Sequence, residues 1–312
     1  MDMMNQNRPG MTDRAGLFIL IAFMGAGFVV GGGFSVVMWK MMTGQSIQQM
    51  QASMMDPAFV NEVRIIQTVL AAFIFLIPAI GATLILNKKP LTYLGFAQKN
   101  SLKSVGLGIL VMAATVVLSG ALATMTEMIP LSPGLTTYFK GLEDTYMKQV
   151  KVLSEMSGVQ DLLVCLVVMA LAPAIFEEVF FRGGFQQMMT RATGNVLVSV
   201  VVTSLLFSAI HFSFYGFLSR TAMGIVLGLL FARSGNLWIP ILAHFFNNAV
   251  AVLQVYYLTM SGKNIEDGMD DKFPLSVLFF AVPAIFYLFK WYKNSLAKDK
   301  SSVSNIPIKE SI

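Results

Sequence analysis

The stretch LLVCLVVMALAPAIFEEVFFR, Leu162 to Arg182, decides how this chain is built. Apart from Glu177, Glu178 and Arg182 it carries no charge, and about 17–25 apolar residues are enough to cross the hydrocarbon core of a bilayer. An ionisable side chain at membrane depth costs about 2.5–3.5 kcal/mol on insertion scales, so the acid pair reads as a functional group facing the interior of a helix bundle. Taken alone, the segment also admits a charge cluster snorkelling from a helix end. Residues four apart share a helix face, so Glu178 can pair with Arg182 in the favoured acid-before-base order. Glu177 points about 100° away and is free to face something else.

Working outward, apolar windows of spanning length recur at Ala15–Trp39, Ile65–Leu86, Val105–Met125, Val196–Phe217, Thr221–Ala232, Leu237–Leu258 and Phe273–Phe289. With the opening stretch they predict an all-α, polytopic membrane bundle of about eight transmembrane helices. The composition agrees: of 312 residues 55% are hydrophobic and 12% charged, with mean hydropathy +0.68, against about 25% charged in soluble domains. The first window is long and lacks a clear cleavage site after a short core, so it reads as a retained anchor. The expected organisation is an N-terminal cytoplasmic segment (1–14), one integral domain (15–294, with its motif core at 172–248) and a mobile lysine-rich cytoplasmic tail (295–312).

Basic residues concentrate on the cytoplasmic side of membrane proteins. With both termini inside, fourteen of the 22 Lys and Arg fall there. The net charge of +5 is accounted for by juxtamembrane lysines, which argues against a nucleic-acid partner. Lys290, Lys293, Lys298 and Lys300 read as contacts to anionic lipid head groups. Cys165 stands alone, which excludes an intrachain disulfide.

Two polar excursions interrupt the spans. In Lys40–Arg64, Asp56-Pro57 offers a helix start. In Thr126–Asp161, Pro130 and Pro133-Gly134 are expected to turn the chain before Thr137–Met156, whose alternation predicts an amphipathic helix in the interface. Long connections of this kind are often lids. Gly27/Gly31 and Gly224/Gly228 are GxxxG pairs that let helices approach closely.

The chain holds two histidines, His211 and His244, each in a different apolar window. One helical turn separates Phe207 from His211, and another separates His244 from Asn248. Bundle sites are built from inward side chains on facing helices, so Glu177, His211, His244 and Asn248 are candidates to meet. Pro173 and Pro240, each one turn before a candidate residue, are expected to bend their helices beside such a cavity. A carboxylate with two imidazoles can activate water in two ways. Glu177, His211 and His244 could hold a divalent metal such as zinc with an open water position. Alternatively Glu177 and an imidazole could deprotonate water directly, with Asn248 donating to the developing oxyanion. No HExxH pair is present, so spacing alone does not imply a metal.

Glu177-Glu178-x-x-x-Arg182, Phe207-x-x-x-His211 and His244-x-x-x-Asn248, in this order and on separate spans, resemble the three motifs of the CPBP intramembrane proteases. That family includes the CAAX prenyl endopeptidases and bacterial relatives linked to bacteriocin processing and immunity. The segment Pro90–Phe96 also resembles it. The resemblance implies an intramembrane endopeptidase in which Glu177 activates water with His211, and His244 with Asn248 supports the oxyanion. Glu178, Arg182 and Phe207 would be supporting residues. The implied partners are membrane lipid and a peptide or membrane-protein substrate, and the implied location is a bacterial inner membrane. A non-catalytic scaffold or immunity protein of the same fold is the alternative, and a proton-coupled transporter would show an internal repeat that this sequence lacks.

Overall fold

The computed structural model describes residues 12–263 and 273–304. Among them the chain is helical throughout, without strands. In order these are α1 (Asp13–Thr43), α2 (Ile47–Ser53), α3 (Pro57–Ile85), α4 (Leu102–Glu127), α5 (Pro133–Leu153), α6 (Val159–Thr193), α7 (Val196–Ala209), α8 (Phe217–Ser234), α9 (Trp238–Met260) and α10 (Leu278–Ser304). Helices α1, α3, α4, α6, α8, α9 and α10 are long and apolar enough to cross a membrane, so this is a multi-pass membrane protein.

The expected fifth span is shorter than its hydropathy implies. Helix α7 has 14 residues, roughly 21 Å at 1.5 Å per residue, which falls short of a hydrocarbon core of about 30 Å. It stops because Phe212 takes a left-handed backbone (φ 49°), a costly conformation for a bulky residue. Ser213 and Gly216 complete the turn, with the Gly216 amide donating to Ser213 Oγ at 3.1 Å. His211 therefore lies in the turn after α7, not on its helical face.

Three further expectations are revised. Pro133-Gly134 does not turn the chain: Pro133 is the first residue of α5, behind the capping Ser132, where a missing amide costs nothing. Pro240 lies in the first turn of α9, where it leaves no broken hydrogen bond, so it does not bend the helix. The last helix does not give way to a mobile tail at Ser295. It runs to Ser304, with Ser295 and Leu296 buried and Ser104 Oγ donating to Ser295 Oγ at 2.8 Å. Residues 1–11, most of the expected N-terminal segment, and 305–312 lie outside the described residues. Asp56 does start a helix, accepting from the Ala58 amide at 2.9 Å.

Helix α4 packs against α8, α9 and α10 around Val111, Met112, Leu227, Leu230 and Ile239. On the other side α1 lies against α3 and α6, burying Leu20, Ala79, Ala82, Phe180 and Met188. Between these halves α9 packs on α6. The outward faces stay apolar, as with Phe279 at 81% exposure, which suits lipid. Lipid tails remove the hydrophobic incentive for helices to associate, so close packing through small residues takes its place. A Cβ on Gly27 would fall 2.0 Å from the Phe73 carbonyl oxygen, and one on Gly224 would fall 2.9 Å from Ser204 Cβ.

Two prolines inside long helices are absorbed by π-helical turns. Pro78 follows Ala72–Leu76 and Pro173 follows Leu166–Leu171. A proline ring collides with the carbonyl four residues back, and the wider turn removes that clash. A third π-helical stretch, Val179–Gln186, begins directly after the acid pair; such turns cluster at functional sites.

Candidate active site

Helix α6 presents both acids to α9, in different ways. Glu178 is fully buried and pairs through Oε1 with Arg182 Nη1, whose side chain is equally buried. The same oxygen lies 2.9 Å from His244 Nδ1 on α9. Arg182 is fixed further: Nη2 donates to the Gly224 carbonyl at 3.3 Å, and the guanidinium sits 4.8 Å above the Phe207 ring. Gly224 thus admits both helix packing and this backbone contact. A carboxylate engaged by a guanidinium accepts hydrogen bonds, so His244 Nδ1 is the donor in that contact. The other imidazole nitrogen, Nε2, is then turned toward Glu177 Oε2 at 3.9 Å, too long for a direct hydrogen bond.

His211 reaches the same place from the end of α7. Its Nδ1 lies 2.8 Å from the Phe207 carbonyl oxygen, and a carbonyl can only accept, so Nδ1 carries the proton. In the neutral ring this leaves Nε2 as an acceptor. Phe207 packs edge-on to both imidazoles, with ring centroids 5.1 Å from His211 and 5.8 Å from His244. One aromatic side chain therefore spaces the two histidines.

Glu177, His211, His244, Asn247 and Asn248 line one chamber of about 300 Å³, together with Phe207, Pro173, Arg220 and Tyr146. The four candidate residues read from the sequence are brought together there. Glu178 and Arg182 lie beneath it. Asn247 Nδ2 donates to Asn248 Oδ1 at 3.0 Å, which occupies the Asn248 oxygen and leaves its amide N–H groups for other acceptors. The trio Glu177, His211 and His244 does not form a metal cage. Among the described residues no three His, Cys, Asp or Glu side chains converge closely enough to hold an ion.

The chamber has a roof. Helix α5 contributes Tyr146 and Val150 to its lining and is tied to the turn after α7. Ser213 Oγ donates to Glu143 Oε2 at 2.8 Å, and Phe139 stacks on Phe214 with centroids 4.4 Å apart. The far end of α5 is held by Arg64, whose Nε donates to the Leu153 carbonyl at 3.0 Å and whose Nη2 donates to the Glu155 carbonyl. The interfacial helix expected over Thr137–Met156 is thus a packed part of the site.

Sequence reasoning missed Asn247, Arg220, Tyr146 and the bond from His244 to Glu178. Asn247 adjoins Asn248 and could have been flagged by adjacency. Arg220 was a charge at the edge of an apolar window, the signal that singled out the acid pair.

The segment Pro90–Phe96 carries none of these groups but holds α6 and α9 in place. The Leu237 amide, just before α9, donates to the Gly95 carbonyl at 3.0 Å, and Gln187 of α6 donates to the Tyr93 carbonyl. Gly95 itself needs φ 99°, which favours glycine. Tyr93 Oη donates to Asp13 at 2.7 Å. Burial first, and then this hydrogen bond, raise the phenol well above its ordinary pKa.

The sequence model of one family, Type II CAAX prenyl endopeptidase Rce1-like, matches residues 159–250. These residues run from the start of α6 to the middle of α9 and include every candidate side chain. Two proteins of Bacillus subtilis (strain 168) are similar over about the same length. "Uncharacterized protein YpbD" is 31% identical over 96 residues, 30% of this chain and 46% of its own. "Putative membrane peptidase YdiL" is 28% identical over 95 residues, 30% of this chain and 38% of its own. The matched region thus spans less than half the length of either relative. No solved structure matches significantly.

Proposed function

We propose that this protein is an intramembrane endopeptidase that hydrolyses a peptide bond of a membrane-associated peptide or protein, using water activated by Glu177. One observation carries the reading: a carboxylate, two imidazoles and a side-chain amide line a single chamber above a buried network that orients one of those imidazoles. The family match over residues 159–250 supports the reaction class.

In this reading a water rests between Glu177 and the substrate carbonyl. Glu177 takes its proton as the oxygen adds to the carbonyl carbon. Negative charge moves to the carbonyl oxygen, where the Asn248 amide donates a hydrogen bond; such a donor is worth about 2.7–4 kcal/mol in other enzymes. The carbon–nitrogen bond then breaks, and the proton held by Glu177 passes to the leaving amine. His244, kept in one tautomer by Glu178, presents Nε2 as an acceptor for the proton that Glu177 takes up. His211 Nε2 accepts from water or from the incoming chain. Glu178 and Arg182 orient and do not react. This reading assigns no step to an ion; were a divalent metal bound, Glu177, His211 and His244 would hold it.

The proposed location is a bacterial inner membrane with both termini cytoplasmic, the orientation that the distribution of Lys and Arg favours, the turn after α7 completing the crossing that this short helix begins. The roofed end of the chamber, at the C-terminal end of α7 and the N-terminal end of α8, then lies toward the outer face. Cleavage of a peptide pool by purified, reconstituted protein tests the proposal. Activity is expected in the wild type, to survive strong chelation, and to be lost in Glu177→Gln. Full activity in Glu177→Gln would overturn it. The scaffold alternative predicts instead that Glu177→Ala complements a deletion strain.

A further inference from the structure

Arg220 is the cation that the mechanism leaves unused. It lies on the first turn of α8 and lines the chamber with Glu177, both histidines and Asn248. Arg64, Arg182 and Arg191 each have a carbonyl or carboxylate partner, although Arg182 Nε is itself buried without an acceptor. Arg64 donates to main-chain carbonyls, Arg182 pairs with Glu178, and Arg191 lies 4.0 Å from Asp13. Arg220 differs. Its Nη1 is buried without a hydrogen-bond partner, and among the described residues no carboxylate lies within ion-pair distance of it. It touches the Tyr146 ring, with its guanidinium carbon 5.3 Å from the centroid. It also lies flush on Gly216, where a Cβ would fall 2.1 Å from Nη1.

A guanidinium that faces a chamber with a nitrogen buried and unpartnered is costly unless something else supplies the counter-charge. Its surroundings select the sign. The N-terminus of α8, whose amides carry partial positive charge, adds to the same potential, and Gly216 caps that helix without a side chain. A planar guanidinium matches a carboxylate in a two-point contact.

We propose that Arg220 anchors a carboxylate of the peptide in this chamber and so selects anionic substrates. The proposal rests on reading the chamber as the peptide site and names a specificity residue of that site. The carboxylate has two sources, the C-terminus of the peptide or an acidic side chain. Tyr146 covers the anchor from the roof, so binding there also fastens α5 over the occupied chamber.

The test reads binding, not cleavage. Full-length Glu177→Gln protein in phosphatidylcholine nanodiscs is titrated with three fluorescent pools of N-palmitoylated mixed-sequence decapeptides. One pool ends in a free carboxylate, one in a carboxamide, and one in a carboxamide with an internal Glu. At least one carboxylate pool is expected to bind about ten-fold tighter than the neutral pool, as a charge-assisted contact implies. The pool that does so identifies the source. Adding Arg220→Gln should erase the preference, Arg220→Lys should keep part of it, and Gly216→Ala, which retains the charge but displaces it, should reduce it. Equal binding of all pools by the parent, or a preference that survives Arg220→Gln in protein of unchanged helicity and elution volume, overturns the proposal. Preferential binding by a protein whose wild-type form never cleaves would instead sink the endopeptidase reading and leave the anchor standing.

Discussion

The floor and the mouth of the chamber are built on opposite principles. In the floor, Glu178, Arg182, His244 Nδ1 and the Gly224 carbonyl engage one another, and Glu178 and Arg182 are shut off from solvent, with Glu178 Oε2 and Arg182 Nε left without hydrogen bonds. At the mouth, Glu177 lies 3.9 Å from His244 Nε2, beyond hydrogen-bond reach, and Arg220 has a buried nitrogen without an acceptor. Low-dielectric surroundings strengthen satisfied polar networks and penalise unsatisfied ones. The mutual contacts of the floor therefore fix geometry, and the mouth, whose charged groups have no such partners within the protein, retains capacity for a ligand. Two adjacent glutamates on one helix fall on either side of this divide.

The sharpest break in that comparison is Arg182→Ala. It strips the partner from a buried carboxylate, and removing one member of such a pair costs about 3–5 kcal/mol. Thermal unfolding in detergent should report a large loss, and cleavage should disappear with it. Glu177→Gln should separate the regions most cleanly: about 10²–10⁴-fold less cleavage with no loss of thermal stability. If Glu177→Gln destabilised the fold as much as Arg182→Ala, the mouth would be structural after all. Asn248→Ala is expected to lower kcat about 10²-fold with little change in KM, since the oxyanion exists only in the transition state. Ser213→Ala, which releases one tie between roof and turn, should cost about 1 kcal/mol of stability. It should also raise protease sensitivity of α5 in limited digestion. A roof as rigid as before would show that the Phe139–Phe214 stack suffices.

Much of the floor was legible before any coordinates. The spacing of Glu178 and Arg182 predicts their pairing, because four residues make about one helical turn. The confinement of the two histidines to separate apolar windows marks them as inward-facing. The third partner of Glu178 was not legible, since the contact with His244 depends on how α6 and α9 are rotated about their own axes. The short α7 was hidden because hydropathy continues through Phe212 and Phe214 while the backbone turns. Pro240 misled for a related reason: a proline four residues before a histidine looks like a kink until the start of the helix is known. Pro173 does mark an irregular helix, because its π-helical turn is a local consequence of the missing amide and the ring clash.

Hydropathy and residue inventory determined by themselves that this chain is a bundle of spanning helices with a few ionisable groups to account for. Those are local quantities, set by the transfer of each segment from water to lipid. Which polar groups neutralise one another, and which are left facing the chamber, was decided only when the helices packed. A side chain's partner lies across the bundle, at a rotation and depth fixed jointly by glycine contacts, proline-driven π-helical turns and the clamp at Pro90–Phe96. The same inventory packed in another register would bury Glu177 and expose Glu178, exchanging the residue that holds the site together with the residue proposed to react.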